Sequence, residues 1–173
     1  IAIERARAEA ALLGSEARFR ELAENIKDVF YNRDFATGRF LYISPAYETL
    51  WQRRREELYA APDAYRESIY PDDREVQAQT KHLQATGATT DLEYRIVRPD
   101  GEVRWIRDRS YPVLNEAGAV ERIVGIARDV TGRKRADREL ARTNRALQML
   151  SRCNQALTRI DDEAELLLQV CQL

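Results

Sequence analysis

The sequence has little of the chemistry that most enzymes need. It contains one histidine, His82, and its seven glycines are dispersed rather than gathered in a phosphate-binding loop. Nucleophilic catalysis needs a base beside a nucleophile, and a metal site needs several ligands at short spacing. One histidine and two distant cysteines supply neither. We therefore predict no catalytic residues, no metal site and no enzymatic activity for this chain on its own.

Long apolar runs and a cysteine framework are also missing. No stretch approaches the ~18 apolar residues of a membrane span, and no charged-then-apolar leader opens the chain. Cys153 and Cys171 are the only cysteines, and a chain of 173 residues does not need them as a staple. These features predict a cytoplasmic, reduced environment and no membrane contact within this segment.

An excess of one charge is absent too. The net charge is −1 although 33% of the residues are charged, so no overall field attracts nucleic acid. Two basic runs occur at 53–55 and 133–135, each with acidic neighbours. Solvated helix faces explain both runs better than a nucleic-acid surface does, and we expect no nucleic-acid partner.

Both ends of the chain have helical patterns, and we interpret the chain as a fragment of a longer protein. Residues 1–14 are predicted to form an N-terminal connector helix, and residues 132–150 a linker helix. Leu140, Leu147 and Leu150 fit a heptad seam in this linker, and Phe19 and Leu22 form an apolar stripe near the other end. We expect a homodimer through these residues. An amphipathic linker helix that packs on its own domain explains the heptad pattern equally well.

The middle of the chain alternates between strand and helix signals. Two strand-like runs near 29–33 and 40–43 precede several short helical pieces, and a longer helix ends near Gly87. Three further strand-like runs follow, separated by tight-turn sequences at 98–101 and 115–118. Five strands with short helices on one face make an α+β architecture.

Alternation along the last three strands separates two faces of the predicted sheet. The face assigned to the short helices is small and mostly uncharged, and we take it as the wall of a pocket. Trp105 lies on the opposite face. Asp108 is unusual, since a carboxylate facing a core must be paired or hydrogen-bonded. The pocket candidates are Tyr47, Trp51, Leu92, Tyr94, Ile106, Asp108, Ser110 and Gly125. Tyr47, Trp51 and Tyr94 fit a plain core better than a ligand cage.

Several segments together resemble a PAS sensory domain with its PAS-associated C-terminal motif. They are 41–48 (LYISPAYE) with Trp51, 70–74 (YPDDR), 93–95 (EYR), 104–106 (RWI) and 125–131 (GIARDVT). The resemblance covers residues 15–131. Residues 151–173 resemble, over a short match, the start of a GAF domain. The first resemblance implies a five-stranded antiparallel sheet, short helices and an enclosed pocket between two connector helices.

The resemblance also implies a role. Such domains sense a cue and relay it to an output domain in the same chain, in bacterial sensor histidine kinases or in diguanylate cyclases and phosphodiesterases. Asp129 and Thr131 stand where the signal passes to an exit helix. We expect Asp129 to pair with an arginine or a backbone N–H, and Thr131 to be the N-cap of that helix. A ligand-free dimerisation module without a sensing role is the alternative.

The sequence argues against two cofactors that related domains carry. His82 lies late in its helix, whereas the histidine of haem-binding relatives lies near the start, which argues against haem. Cys153 and Cys171 fall outside the domain, which excludes the covalent flavin adduct of light-sensing relatives. The sequence leaves noncovalent flavin or another small molecule open.

Overall fold

The computed structural model describes residues 26–170, with side chains through Gln155 except that of Cys153. Five strands are present: β1 (Val29–Asp34), β2 (Phe40–Ile43), β3 (Thr90–Val97), β4 (Val103–Leu114) and β5 (Val120–Asp129). The helices are α1 (Ala46–Trp51), α2 (Arg55–Ala60), α3 (Arg74–Ala85) and α4 (Thr131–Val170). Two short 3₁₀ helices, Ala64–Ser68 and Pro71–Asp73, lie between α2 and α3.

The strands form one antiparallel sheet in the order β2-β1-β5-β4-β3. The strands β3, β4 and β5 make the predicted meander, and the first strand, β1, pairs with the last, β5, in the centre. Both predicted tight turns are present, since Gly101 and Gly118 have φ of 84° and 78° in them. The α+β fold class predicted from the sequence is confirmed.

Burial confirms the two faces assigned to the meander. Tyr94, Ile106 and Ala127 face the core with at most 3% of their surface exposed, whereas Val124 and Tyr111 on the opposite phase are exposed. The inner face packs against Tyr47, Leu50 and Trp51 of α1 and Leu58 of α2. Helix α3 reaches the sheet through the buried side chain of Gln84. The core therefore lies between the sheet and the short helices.

The chain divides into two compact units between Thr131 and Gly132. The second contains nearly all of α4, a continuous helix of 40 residues from Thr131 to Val170. Leu140, Leu147 and Leu150 are exposed on it. This helix spans both the predicted linker and the described part of the predicted GAF start, and that second domain stays a prediction. The predicted connector helix at 1–14 and the residues Phe19 and Leu22 lie outside the described residues, as does Cys171. No described helix combines the length and the apolar character needed to cross a membrane.

Candidate functional site: a pocket under the short helices

A pocket lies between the inner face of the sheet and the helical layer. Its volume is about 50 Å³, room for roughly four water molecules. The side chains around it are mainly apolar or aromatic. They are Val29, Tyr31, Phe40, Ile43, Tyr47, Trp51, Leu58, Tyr65, Leu92, Tyr94 and Ala127, with the polar or charged Arg33, Arg66, Gln77, Thr80, Lys81, Gln84 and Asp108. An apolar cavity with a few polar groups is the usual form of a small-molecule site.

Asp108 on β4 is the acidic group of this pocket. The hydroxyl of Tyr31 donates to its Oδ1 at 2.9 Å, and the hydroxyl of Tyr94 donates to its Oδ2 at 3.4 Å. Burial disfavours the charged carboxylate and raises the pKa of Asp108 to about 6, although both tyrosine hydrogen bonds oppose the rise. Burial and the charge of Asp108 hold the pKa of Tyr31 well above its ordinary value. Asp108 is thus a hydrogen-bond acceptor that takes up a proton only slightly below neutral pH.

Gly125 allows Tyr31 to reach Asp108. Tyr31 on β1 lies directly opposite Gly125 on β5, and Asp108 is on β4, the strand beyond. A Cβ atom added at Gly125 would overlap with the ring of Tyr31. The ring therefore lies across the bare backbone of β5, and a glycine is needed at this position.

A polar chain connects the pocket to the sheet. The guanidinium of Arg33 donates to the amide oxygen of Gln84 at 2.6 Å, and the amide nitrogen of Gln84 donates to the hydroxyl of Ser110 at 2.6 Å. Ser110 also shares a hydrogen bond of 2.7 Å with the hydroxyl of Thr90. The buried Gln84 is thereby satisfied from both ends, and it holds α3 on the sheet.

Aromatic side chains from both the strands and the helical layer line the pocket. The rings of Tyr47 and Trp51 stack with centroids 5.1 Å apart, and the Trp51 indole N–H donates to Ser68 Oγ at 3.2 Å. Phe40 meets the rings of Tyr31 and Tyr65 edge-on at 6.1 and 6.2 Å. Five aromatic rings are therefore fixed by mutual contact or by a hydrogen bond.

Five of the eight pocket candidates chosen from the sequence line this cavity: Tyr47, Trp51, Leu92, Tyr94 and Asp108. Ile106, Ser110 and Gly125 lie on the same face without lining it. Ile106 is fully buried in the core, Ser110 bonds Gln84, and Gly125 supports the Tyr31 ring.

Sequence reasoning missed Tyr31, Arg33 and Gln84. The first two share the phase of the buried Val29 on β1, so the alternation used for the meander would have found them. His82 is exposed on α3 and is not among the residues around the pocket, and Cys153 lies in α4. Among the side chains that the structure describes, no three His, Cys, Asp or Glu residues are grouped as a metal ion would require.

The end of β5 holds the two residues singled out for signal transfer. Asp129 Oδ2 accepts from Arg104 at 3.1 Å, and its Oδ1 accepts from the backbone N–H of Thr131 at 2.8 Å. The Thr131 hydroxyl accepts from the backbone N–H of Trp105 at 2.8 Å. The predicted capping role of Thr131 needs correction: Thr131 is the first residue of α4, and the carboxylate that accepts its N–H belongs to Asp129. Asp129 can cap because an aspartate side chain readily accepts the backbone N–H of the residue two positions further along the chain.

Trp105 lies on the outer face of the sheet and is half-buried. The guanidinium of Arg95, its partner on β3, lies 5.5 Å from the Trp105 ring and 4.1 Å from the ring of Tyr70. Arg95 is also paired with Asp73 at 2.6 Å. On the outer face, the guanidinium of Arg95 is therefore held by one acid and two aromatic rings.

A five-stranded antiparallel sheet with short helices closing a mixed aromatic and polar pocket is the architecture that the PAS resemblance implied. A family model described as the PAS fold matches residues 40–127. The chain belongs to the PAS-fold family, as its sequence motifs predicted.

Relatives agree with this assignment. The chain is 28% identical over 135 residues to a blue-light-activated histidine kinase of Brucella abortus, covering 76% of this chain and 27% of the kinase. A sensory box histidine kinase/response regulator of Burkholderia thailandensis has a solved structure with 34% identity and a TM-score of 0.58, covering 76% of this chain and 98% of that one. The N-terminal domain of a diguanylate cyclase with PAS/PAC sensor from Marinobacter aquaeolei has 25% identity and a TM-score of 0.58, covering 62% and 98%.

This chain is a PAS sensor domain, homologous to the sensory domains of histidine kinases and diguanylate cyclases. It spans only 15–27% of the length of the first curated relatives that it matches. What those whole proteins do therefore bears on this chain only as a proposal.

Proposed function

We propose that this chain senses a small molecule in its pocket and relays the result through α4 to an output domain in the same protein, in the cytoplasm. A histidine kinase or a diguanylate cyclase or phosphodiesterase is the proposed parent. The observation that carries the relay is the position of Asp129. One carboxylate joins the side chain of Arg104 to the first N–H of α4.

A continuous set of contacts supports this proposal, because it leads from the pocket to Asp129. Tyr47 and Trp51 of α1 line the pocket. The carbonyl of Leu50, in the same helix, accepts from Arg98 Nε at 2.7 Å. A movement of α1 on ligand binding would therefore act directly on Arg98.

The remaining contacts run along the sheet. Arg98 pairs with Glu102 at 3.1 Å, and the same Glu102 oxygen accepts from Arg104 at 2.6 Å. Arg104 in turn holds Asp129. Two arginines sharing one carboxylate make a coupled network, in which a change at one contact alters the others. A ligand shifts the state of α4 only if it binds the two arrangements with different affinity.

The cofactor proposal is limited by the size of the cavity. A volume of about 50 Å³ suits a small ligand better than haem or a flavin, so we favour a small molecule. The covalent flavin adduct remains excluded on the sequence argument.

A ligand-free dimerisation module is the second proposal, and one observation favours it. Asp108 and Gln84 already have hydrogen-bond partners inside the domain, so the pocket does not require a ligand for its polar groups to be satisfied.

The relay is tested by hydrogen exchange on variants of the network. Arg98→Gln removes the contacts to Leu50 and Glu102, and it should speed exchange of the amides at 131–135 as well as at 46–51. Arg107→Gln is the matched control, since Arg107 pairs with Asp91 outside the network. Faster exchange at 46–51 alone would make Arg98 a local clamp and would contradict the relay.

Output is tested by placing residues 1–173 in a chimeric kinase, in place of that kinase's own PAS domain. Asp129→Asn keeps an oxygen for the Thr131 N–H and weakens the pair with Arg104. It should leave the melting temperature nearly unchanged and shift basal autophosphorylation severalfold, up or down. Asp91→Asn is the control and should leave it unchanged. Loss of stability and output in proportion would reduce Asp129 to a structural residue.

A further inference from the structure

We infer that the pocket takes a small organic anion with an apolar or one-ring body, whose acidic group lies against Arg33, Arg66 and Lys81. This inference rests on the proposed sensing function and gives its ligand a chemical class.

The charges around the pocket are unbalanced. Among the described residues around the cavity, Arg33, Arg66 and Lys81 are cationic and Asp108 alone is acidic. The chain as a whole has a net charge of −1, so this excess is local. Like charges brought together around a cavity of low polarity repel one another, and an anion between them relieves the repulsion.

The cations differ from the arginines on the outer face of the sheet in how they are paired. Arg95, Arg107 and Arg128 each meet a carboxylate at 2.6 Å. Arg33 instead donates to the neutral amide of Gln84. Lys81 is exposed, and it is in no ion pair with the side chains that the structure describes.

Arg66 is the one pocket cation with an acidic partner, and that partner is largely in solvent. Its Nε lies 3.0 Å from Asp63, a side chain that is 82% exposed. Solvent screens this pair strongly. Asp63 therefore reduces the positive potential of the pocket only slightly, and Asp108 offsets one of the three cations, which leaves the pocket with more cationic than acidic groups.

Asp108 supplies a second polar contact for the ligand. The hydroxyls of Tyr31 and Tyr94 each donate one hydrogen bond to this carboxyl group. A carboxylate has about four acceptor positions. Asp108 can therefore accept a further hydrogen bond from a hydroxyl or N–H of the ligand. Phe40, Tyr65 and Leu92 also line the pocket, and they favour an apolar or flat body.

The test uses three small carboxylates, acetate, benzoate and 4-hydroxybenzoate, each beside its neutral amide of the same shape. The chain has two tryptophans, and only Trp51 lies at the pocket, so the two indole N–H signals report on binding and on specificity together. Titration with 4-hydroxybenzoate should move the Trp51 signal and leave that of Trp105 in place. Its amide should bind at least about fivefold more weakly.

Variants of the cations locate the anion. Lys81→Gln changes an exposed side chain and should weaken 4-hydroxybenzoate about threefold, and Arg33→Gln should weaken it about tenfold. Lys27→Gln, an exposed lysine away from the pocket, is the control and should leave binding unchanged. The inference is overturned if no carboxylate binds better than its amide, or if Lys81→Gln and Arg33→Gln both bind as the unaltered chain does.

The two proposals can fail separately. Failure of all three anions, together with faster exchange at 131–135 in Arg98→Gln, would remove the anionic ligand and leave the relay. Anion binding at Trp51, with exchange at 131–135 unaffected by Arg98→Gln, would keep the ligand and remove the relay.

Discussion

Tyr31 and Asp108 are joined by a hydrogen bond of 2.9 Å although 77 residues separate them in the chain. The bond crosses the central strand β5 and places a hydroxyl of the first strand on a carboxyl of the fourth. It satisfies the one acidic side chain among the described residues around the pocket. Burial of this carboxyl group outweighs the bond and raises its pKa, so the free energy of unfolding depends on pH in a predictable direction.

The stability of Asp108→Asn, measured against that of the unaltered chain, should be higher at neutral pH than at pH 4. The pKa of Asp108 is about 6 in the fold and ~3.9 in an unfolded chain. The folded protein therefore binds the proton more tightly, and its stability falls as pH rises from about 4 to 6 and then levels off. Asparagine does not ionise, so its contribution to stability does not change over this pH range. Urea denaturation should show the variant gaining roughly 2–3 kcal/mol on the unaltered chain between pH 4 and 7.5. A constant difference would contradict the raised pKa.

Asp73→Asn should show the opposite pH dependence. Asp73 accepts from the Arg95 side chain and backbone N–H, and these contacts lower its pKa. Asp73 stabilises the fold fully above ~3.9, the pKa of an aspartate in the unfolded chain. This stabilisation is lost as the pH falls through the lower pKa that Asp73 has in the folded protein. The melting temperature should drop by about 5 °C at pH 7 and much less in strong acid. Asp72→Asn is the control, since the exposed Asp72 meets Arg95 only at 3.5 Å. Equal losses in both variants would contradict the role of Asp73.

Gly125→Ala should destabilise the domain through Tyr31. The added methyl group would overlap with the Tyr31 ring, and overpacking of this kind costs about 1–3 kcal/mol. The cost should shrink markedly in a Tyr31→Ala background, which a double-mutant cycle by urea denaturation would measure. Gly132→Ala, where nothing lies within 4 Å, is the control. An undiminished cost without the Tyr31 ring would contradict this explanation.

Leu147→Glu should weaken self-association. Leu140, Leu147 and Leu150 are exposed along α4, and a seam at heptad spacing is buried most readily against a second copy. Light scattering of the unaltered chain should give twice 20.0 kDa, and the variant should give the mass of one chain. Leu83→Glu, at an exposed leucine of α3, is the control and should stay dimeric. A monomeric unaltered chain at high concentration would contradict the dimer.

Much of the fold follows from local patterns. The turn signals at Gly101 and Gly118 and the alternation of apolar residues predict the meander and its inner face, because both depend on neighbours within a few residues. The requirement that Asp108 be hydrogen-bonded also followed from its phase on β4. Asp129 was predicted to pair with an arginine or a backbone N–H, and it does both.

The partners of these groups could not be predicted in the same way. Tyr31 reaches Asp108 only because β1 pairs with β5, a contact between the two ends of the domain that no local pattern specifies. The polar chain from Arg33 to Ser110 likewise joins β1, α3 and β4. Thr131 was a reasonable capping residue by type, yet its hydroxyl is used by Trp105, and only the tertiary structure decides between these acceptors.

The strand order has a consequence for how the protein is made. Val29 pairs with Ala127, so β1 emerges from the ribosome nearly a hundred residues before its central partner exists. During that interval β1 and β2 form at most an isolated hairpin, which is marginal in water. Contacts between such distant segments slow folding, because the entropy of the intervening chain is lost before the contacts stabilise the sheet. Synthesis past Asp129 is therefore the step that allows the sheet, and with it the pocket, to form.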